Sequence, residues 1–197
     1  MQRVERWQDI RPGDIGFLRG EGFLSDSIAH LTARRDLMGL QTPSHSLLVL
    51  SRTQVIEALE KTKVRPIEVY RTRFDAGDLV VFAPDVPKEI RREALHYIWT
   101  RYNHAAYGWG QILAFLPVLF WRRLRGRDPV NLLPLGVICS ELVLLYLRRC
   151  FDRLLAAGHS TRADRLAWAY RLSRNTTDPA LQLSCCLRDG LPESLAG

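Results

Sequence analysis

The stretch Gly136-Val-Ile-Cys-Ser-Glu-Leu-Val-Leu-Leu-Tyr146 decides how the chain is interpreted, because it joins an extended segment to a strongly apolar helical pattern. Leu132 to Ile138 forms the extended run, and Cys139 falls on the first turn of the helix that follows. A thiol at that position faces unpaired backbone N–H groups and the positive end of the helix dipole, which favour the thiolate. Cys139 is therefore a candidate nucleophile.

A base for this thiol is found in the segment Ser44-His45-Ser-Leu-Leu-Val-Leu50, where His45 opens a predicted strand, and Glu57 follows on the next strand. If residues 51–53 form the loop, Leu47 faces Glu57. His45 and Glu57 are then diagonal neighbours on one face, about 7–8 Å apart at the backbone. A two- or four-residue loop would place them on opposite faces.

The expected roles follow from the chemistry of a thiolate and an imidazole. Cys139 attacks a carbonyl, His45 pairs with it as imidazolium and later protonates the leaving group, and Glu57 orients the ring. The backbone N–H of Cys139 is expected to stabilise the oxyanion. Tyr107 is a candidate second donor, and Tyr107 and Ser44 are candidate substrate-binding residues. Each residue alone has an ordinary structural explanation, but their joint placement at element ends favours a catalytic site.

The composition is that of one folded domain with a basic surface. With 197 residues and 47% hydrophobic content, we expect a single domain over 1–197, with a loosely ordered C-terminal tail from about 185. The formal charge is +7, and only three of the 28 basic residues are lysines. The planar guanidinium group of arginine suits phosphate and carboxylate partners. A coding bias toward arginine explains the same excess.

The first ten residues, the cysteines and the longest apolar run bear on where in the cell the protein is expected. Met1 to Ile10 lacks the apolar core of a signal peptide, and the four cysteines are few and unevenly spaced, so we expect reduced thiols in the cytoplasm. Ile112 to Phe120 is a nine-residue apolar run, far short of the roughly 20 residues that span a bilayer. Its arginine-rich flank suits an interfacial segment that would associate the protein with a membrane, and equally a core helix with a basic end.

Periodicity predicts an α+β fold. A strand is expected near residues 14–19, and the later strands have connectors too short for crossover helices, which predicts an antiparallel sheet or partial barrel packed against helices. The later strands are predicted over 45–50, 54–59, 64–70 and 78–83. Helices are predicted over 25–35, 88–101, 109–123 with a kink at Pro117, 139–155 and 161–172, and a break over 175–179.

The order of the motifs resembles the permuted papain-like cysteine amidases of the YiiX/YaeF type, relatives of the NlpC-type cell-wall peptidases in which the cysteine helix follows the sheet. The resemblance rests on Gly13-Asp14-Ile15, Ser44-His45, Glu57-Ala58, Cys139-Ser-Glu-Leu-Val143 and Thr177-Asp-Pro-Ala180, and it spans roughly residues 11 to 185. It implies a circularly permuted papain-like domain, with Cys139 as nucleophile, His45 as base and Glu57 as the third, polar member.

Three functions remain open at this point. The leading hypothesis is a thiol hydrolase that cleaves an amide or related acyl bond of a peptide, a peptidoglycan fragment or a lipid amide through an acyl-cysteine intermediate. The second is a lipid acyltransferase at a membrane surface, and the third is a non-catalytic, arginine-rich binding protein on the same fold. No cofactor, no metal and no specific nucleic-acid partner are expected, because the cysteines lack zinc-site spacing and no phosphate-cradling glycine motif occurs.

Overall fold

The computed structural model describes residues 1–21, 23–32, 37, 40–58, 62–103, 105, 139–172 and 179–188. Its centre is a six-stranded sheet in the order β1-β6-β2-β3-β4-β5, and every neighbouring pair is antiparallel. The strands are β1 Gln2–Val4, β2 Ile15–Leu18, β3 His45–Val49, β4 Gln54–Ala58, β5 Thr62–Pro66 and β6 Leu79–Ala83. The predicted α+β class and antiparallel sheet are confirmed.

Seven α-helices are present in the described ranges, and most of them follow the sheet in the chain. They are α1 Phe23–Leu31, α2 Arg71–Asp75, α3 Lys88–Tyr102, α4 Cys139–Ala156, α5 Ser160–Asp164, α6 Trp168–Arg171 and α7 Pro179–Arg188, with short 3-10 helices at Trp7–Asp9 and Ile67–Tyr70. The extended run predicted over 132–138 and the helix predicted over 109–123 lie outside the described residues.

The hairpin between β3 and β4 has the register on which the predicted triad depended. Leu47 pairs with Glu57, Leu48 with Ile56 and Val49 with Val55. The backbone N–H of Leu50 donates to the carbonyl of Gln54 at 2.9 Å, which closes the loop over residues 51–53. Because side chains alternate along a strand, this register puts Leu47 and Glu57 on one face, and His45, two residues before Leu47, shares that face.

Apolar side chains cover both faces of the sheet. On one face, residues such as Ile15, Leu48 and Ile56 form a large core with α3 and α4, and the first half of α4 is almost wholly buried in it. On the other face, Leu47, Val55 and their neighbours form a second cluster that the 3-10 helix with Tyr70 closes. The sheet is thus buried on both sides where the candidate triad lies, so that its members are held away from bulk water.

Several sequence-based boundaries were wrong, and three of them change the description of an element. The strand predicted over 64–70 ends at Pro66, because proline has no N–H to continue the ladder, and residues 67–70 turn into a 3-10 helix. The helix predicted over 161–172 is two short helices, α5 and α6. The loosely ordered tail was expected from about 185, but α7 continues to Arg188, and Cys185 and Cys186 are buried within it.

All four cysteines are free thiols, and all four are buried. The apolar run at Ile112 to Phe120 lies outside the described residues. Among the helices that are described, none combines the length and the apolarity that a membrane crossing requires.

Candidate active site

Cys139 is the first residue of α4, as the sequence pattern predicted. The helix packs against α3, β3 and β4, so its first turn lies where β3 begins. Cys139 is only 6% exposed. Its thiol hydrogen-bonds with the His45 ring, and the backbone N–H of Ser46 donates to it as well. The fold therefore brings a helix start and a strand start, 94 residues apart in the chain, into one contact.

His45 bridges the thiol to Glu57. Its Nε2 lies 2.8 Å from Oε2 of Glu57, which leaves the other ring nitrogen, Nδ1, for the sulfur of Cys139. His45 is 6% exposed and Glu57 is fully buried. The register of the β3–β4 hairpin sets this geometry, because it makes the two residues diagonal neighbours on one face. The structure thus brings Cys139, His45 and Glu57 together in the predicted order.

Two further residues hold Glu57, and neither of them is among the candidates predicted from the sequence. The hydroxyl of Tyr70 donates to Oε2 of Glu57 at 2.6 Å, and Nε of Arg65 lies 3.4 Å from Oε1. Arg65 lies on β5 diagonally across from Glu57, which pairs directly with Lys63. The signal for Tyr70 was Pro66, since a chain that leaves the sheet there can fold the 67–70 segment back under the carboxylate.

The three titratable groups shift one another's pKa values toward an ion pair. Burial alone would lower the pKa of His45, but the charge and hydrogen bond of Cys139, followed by those of Glu57, raise the pKa of His45 to about 9. Burial opposes the thiolate too, yet the charge and hydrogen bond of His45 and the Ser46 N–H lower the pKa of Cys139. Both shifts favour the thiolate–imidazolium pair over the neutral thiol and imidazole.

The carboxylate of Glu57 stays ionised although it is buried beside His45. Burial by itself raises the pKa of Glu57, but the hydrogen bond and charge of His45, then the hydroxyl of Tyr70 and the charge of Arg65, bring the pKa of Glu57 below its usual value. Burial and the neighbouring carboxylate raise the pKa of Tyr70 well above its usual range, so this phenol is a neutral donor. Chemically, the arrangement supplies a nucleophilic sulfur, a proton donor and a fixed anion that orients the ring.

The two candidate substrate-binding residues have different outcomes. Ser44 is buried beside His45, and its hydroxyl accepts from the backbone N–H of Gly20 at 2.9 Å and contacts the hydroxyl of Ser25. These contacts tie the β2–α1 connection to the start of β3. A role of Ser44 in substrate binding stays a prediction. Tyr107 lies outside the described residues.

No metal centre is formed by the described part of the chain, since no group of three or more His, Cys, Asp or Glu side chains there is arranged to hold an ion. Cys150, Cys185 and Cys186 lie deep in the helical core, and burial raises the pKa of Cys150 to about 12. The reactive environment is thus specific to Cys139 among the four thiols.

Comparisons with protein-family models, with curated proteins and with solved structures gave no match to this chain.

Proposed function

We propose that this protein is a cysteine hydrolase that cleaves an amide or related acyl bond through an acyl-Cys139 intermediate. The observation that carries the proposal is the buried chain of hydrogen bonds from Cys139 through His45 to Glu57, with 2.8 Å between the His45 and Glu57 atoms. Folding alone favours apolar side chains at such positions, because burying an ion pair costs desolvation energy. Retaining all three groups in contact is best explained by chemistry at the sulfur.

The reaction follows from the protonation states. The Cys139 thiolate attacks the carbonyl carbon and forms a carbon–sulfur bond, and the imidazolium of His45 gives its proton to the leaving nitrogen as the carbon–nitrogen bond breaks. Water then attacks the thioester while neutral His45 takes one of its protons. The carbon–sulfur bond breaks, the acid leaves, and the thiolate and imidazolium are restored. Glu57 keeps the ring oriented in both steps.

A circularly permuted papain-like fold is part of the same proposal. The order His45, Glu57, Cys139 and the location of the nucleophile at the start of a buried helix after the sheet support it. Peptides, peptidoglycan fragments and lipid amides are the proposed substrate classes, because each offers a carbonyl that an acyl-cysteine mechanism can use. An acyltransferase would share the first step and differ only in the acceptor that resolves the thioester.

The test is acid-quenched mass spectrometry of the intact protein after incubation with acyl donors of these three classes. We expect one donor class to add the mass of a single acyl group to the wild type, and digestion to locate it on Cys139. Cys139→Ala and His45→Ala should show no adduct, whereas His159→Ala, which removes an exposed histidine, should behave as wild type. Decay of the adduct in water alone would indicate a hydrolase, and decay only with an added amine or alcohol a transferase.

The proposal fails if Cys139→Ala accumulates the adduct as the wild type does, or if no donor class acylates a wild-type protein whose Cys139 is alkylated at neutral pH. Circular dichroism of each variant separates loss of chemistry from loss of fold.

A further inference from the structure

A basic groove of about 670 Å³ lies away from the candidate triad. It is formed by the Arg11–Pro12 turn, the loop between β3 and β4, and one face of α3. His45 stands at the first residue of β3, whereas the groove begins at Leu50, beyond the strand's last residue. At about 3.3 Å per residue the two positions are about 17 Å apart along the strand. The groove and the thiol therefore lie at opposite ends of the hairpin.

The charges around this groove all have one sign. Among the described residues that line it, none is acidic, and five are arginine or lysine: Arg11, Arg52, Lys88, Arg91 and Arg92. Within the part of the chain that the structure describes, Arg52, Lys88 and Arg92 make no ion pair. Like charges held around one concave surface repel one another, and an anion in the groove would relieve that repulsion.

Helix α3 separates its charges by face. Lys88, Arg91, Arg92, His96 and Trp99 line the groove at helical spacing. Glu93 instead faces α4, where it pairs with Arg149 at 2.8 Å and Arg153 at 2.7 Å. Glu93 is thus paired on the side of α3 that faces α4, and neither Glu93 nor the exposed Glu89 lines the groove.

Among the basic residues of the groove, Arg91 is held in place by an ion pair. Its Nη1 lies 3.3 Å from the buried carboxylate of Asp14, which anchors the guanidinium at the base of the groove, and its Nε is buried with no hydrogen-bond partner in the described structure. The groove also has an apolar side, formed by Leu50, Leu95 and Trp99, and Trp99 is 40% exposed. A preformed pocket of this size with a few convergent polar groups is typical of small-ligand sites.

We propose that this groove is a binding site for a phosphate-bearing ligand whose apolar part lies against Leu95 and Trp99. Phosphate is the anion favoured by arginine clusters, because the planar guanidinium donates two parallel hydrogen bonds to its oxygens. Two sources share this chemistry: a soluble phosphorylated molecule, and the headgroup of an anionic phospholipid. The site does not depend on the reaction at Cys139.

The experiment measures binding of pyrophosphate and of ATP by calorimetry at low salt, and flotation of the protein with vesicles that contain phosphatidic acid. Arg52→Gln/Arg92→Gln removes two exposed groove arginines. Arg101→Gln/Arg171→Gln removes two exposed arginines elsewhere and is the matched control. We expect the groove double variant to weaken binding by about tenfold or more, and the control to bind within about twofold of the wild type.

Binding of the soluble phosphates identifies a free ligand, and binding to the vesicles alone identifies a headgroup. Either result supports the site if the groove variant loses it selectively. Absence of wild-type binding to both probes, or equal loss in the two double variants, overturns the proposal. Cys139→Ala should retain full binding, so failure of the proposed hydrolase and failure of this site are separate outcomes. Thermal unfolding of every variant verifies that the fold is intact.

Discussion

At the scale of single residues, the site is an ion pair stabilised by a third charge. Cys139 and His45 each lose water on burial, and each would be neutral in isolation. Together they favour the charged forms, because the thiolate raises the pKa of His45 and the imidazolium lowers the pKa of Cys139. Glu57 adds a negative charge on the far side of the ring, and Tyr70 and Arg65 hold that charge in place.

Replacing Glu57 by Gln tests this coupling. Loss of the carboxylate removes one cause of the raised pKa of His45, so the pKa of His45 should fall from about 9 and the pKa of Cys139 should rise. Iodoacetamide should alkylate wild-type Cys139 well below pH 8.5, the pKa of an ordinary thiol. At pH 6 we expect the variant to react roughly tenfold more slowly, which corresponds to about one pKa unit.

Glu68→Gln is the matched control for that measurement, since Glu68 is an exposed glutamate on the neighbouring 3-10 helix. Its rate constants should follow the wild-type pH profile. An unchanged profile in Glu57→Gln, with the fold intact by circular dichroism, would contradict the coupling.

At the scale of elements, the turn that leads into β2 packs directly against α4, the helix that begins at Cys139. Gly13 has a φ of +90° and its N–H donates to the carbonyl of Val49 at 2.8 Å. A Cβ on Gly13 would overlap the hydroxyl of Tyr146 and lie 2.9 Å from Cδ of Arg91. Tyr146 is fully buried on α4, two turns after Cys139. The turn before β2 therefore helps to fix where α4 lies.

Gly13→Ala should destabilise the protein by about 2–5 kcal/mol. The positive φ costs about 1–2 kcal/mol for a residue with a Cβ, and overpacking against Tyr146 and Arg91 adds about 1–3 kcal/mol. Gly77→Ala is the matched control, because Gly77 has a φ of +81° with no atom within 4 Å of the added Cβ, so it carries the backbone cost alone. Urea unfolding measures both. Equal losses would show that the contact with α4 contributes nothing.

At the scale of the whole molecule, the helices after the sheet form one continuous core. Helix α7 packs on α4, and the side-chain N–H of Gln182 donates to the carbonyl of Ser140 at 2.6 Å, one residue after Cys139. The same core encloses Cys150, Cys185 and Cys186. The support of the candidate site thus extends from the first strands of the chain to its C-terminal helix.

Cysteine labelling measures this protection. With excess iodoacetamide and a short exposure at neutral pH, native protein should gain one label, on Cys139, and unfolded protein four. The other three thiols are at most 1% exposed, so they should react only as fast as the core opens. Cys139→Ala should gain none in the native state. If Cys150 or Cys186 were labelled at a rate near that of Cys139, the free energy of opening the helical core would be far lower than the free energy of global unfolding.

The sequence by itself determined the features that depend on residues close together in the chain. Because side chains alternate strictly along a strand, a loop over residues 51–53 was the condition for His45 and Glu57 to share a face, and the structure has that loop. The apolar pattern from Cys139 onward predicted a buried helix that begins at the thiol. Five of the six strands and the longer helices α3 and α4 were predicted from periodicity and turn signals, whereas β1 was not predicted. The errors came where local signals compete, as at Pro66, where a strand-like run of side chains met a residue that cannot continue the ladder.

What only the tertiary structure decided was which distant groups meet. The periodicity of the sequence does not predict that Tyr70 and Arg65 contact Glu57, or that Tyr146 lies against Gly13. It also does not predict that basic residues of α3, of the Arg11–Pro12 turn and of the β3–β4 loop surround one groove. The pKa values of Cys139 and His45 are set in the same way, because an ion pair depends on distances of a few ångströms between groups far apart in the chain.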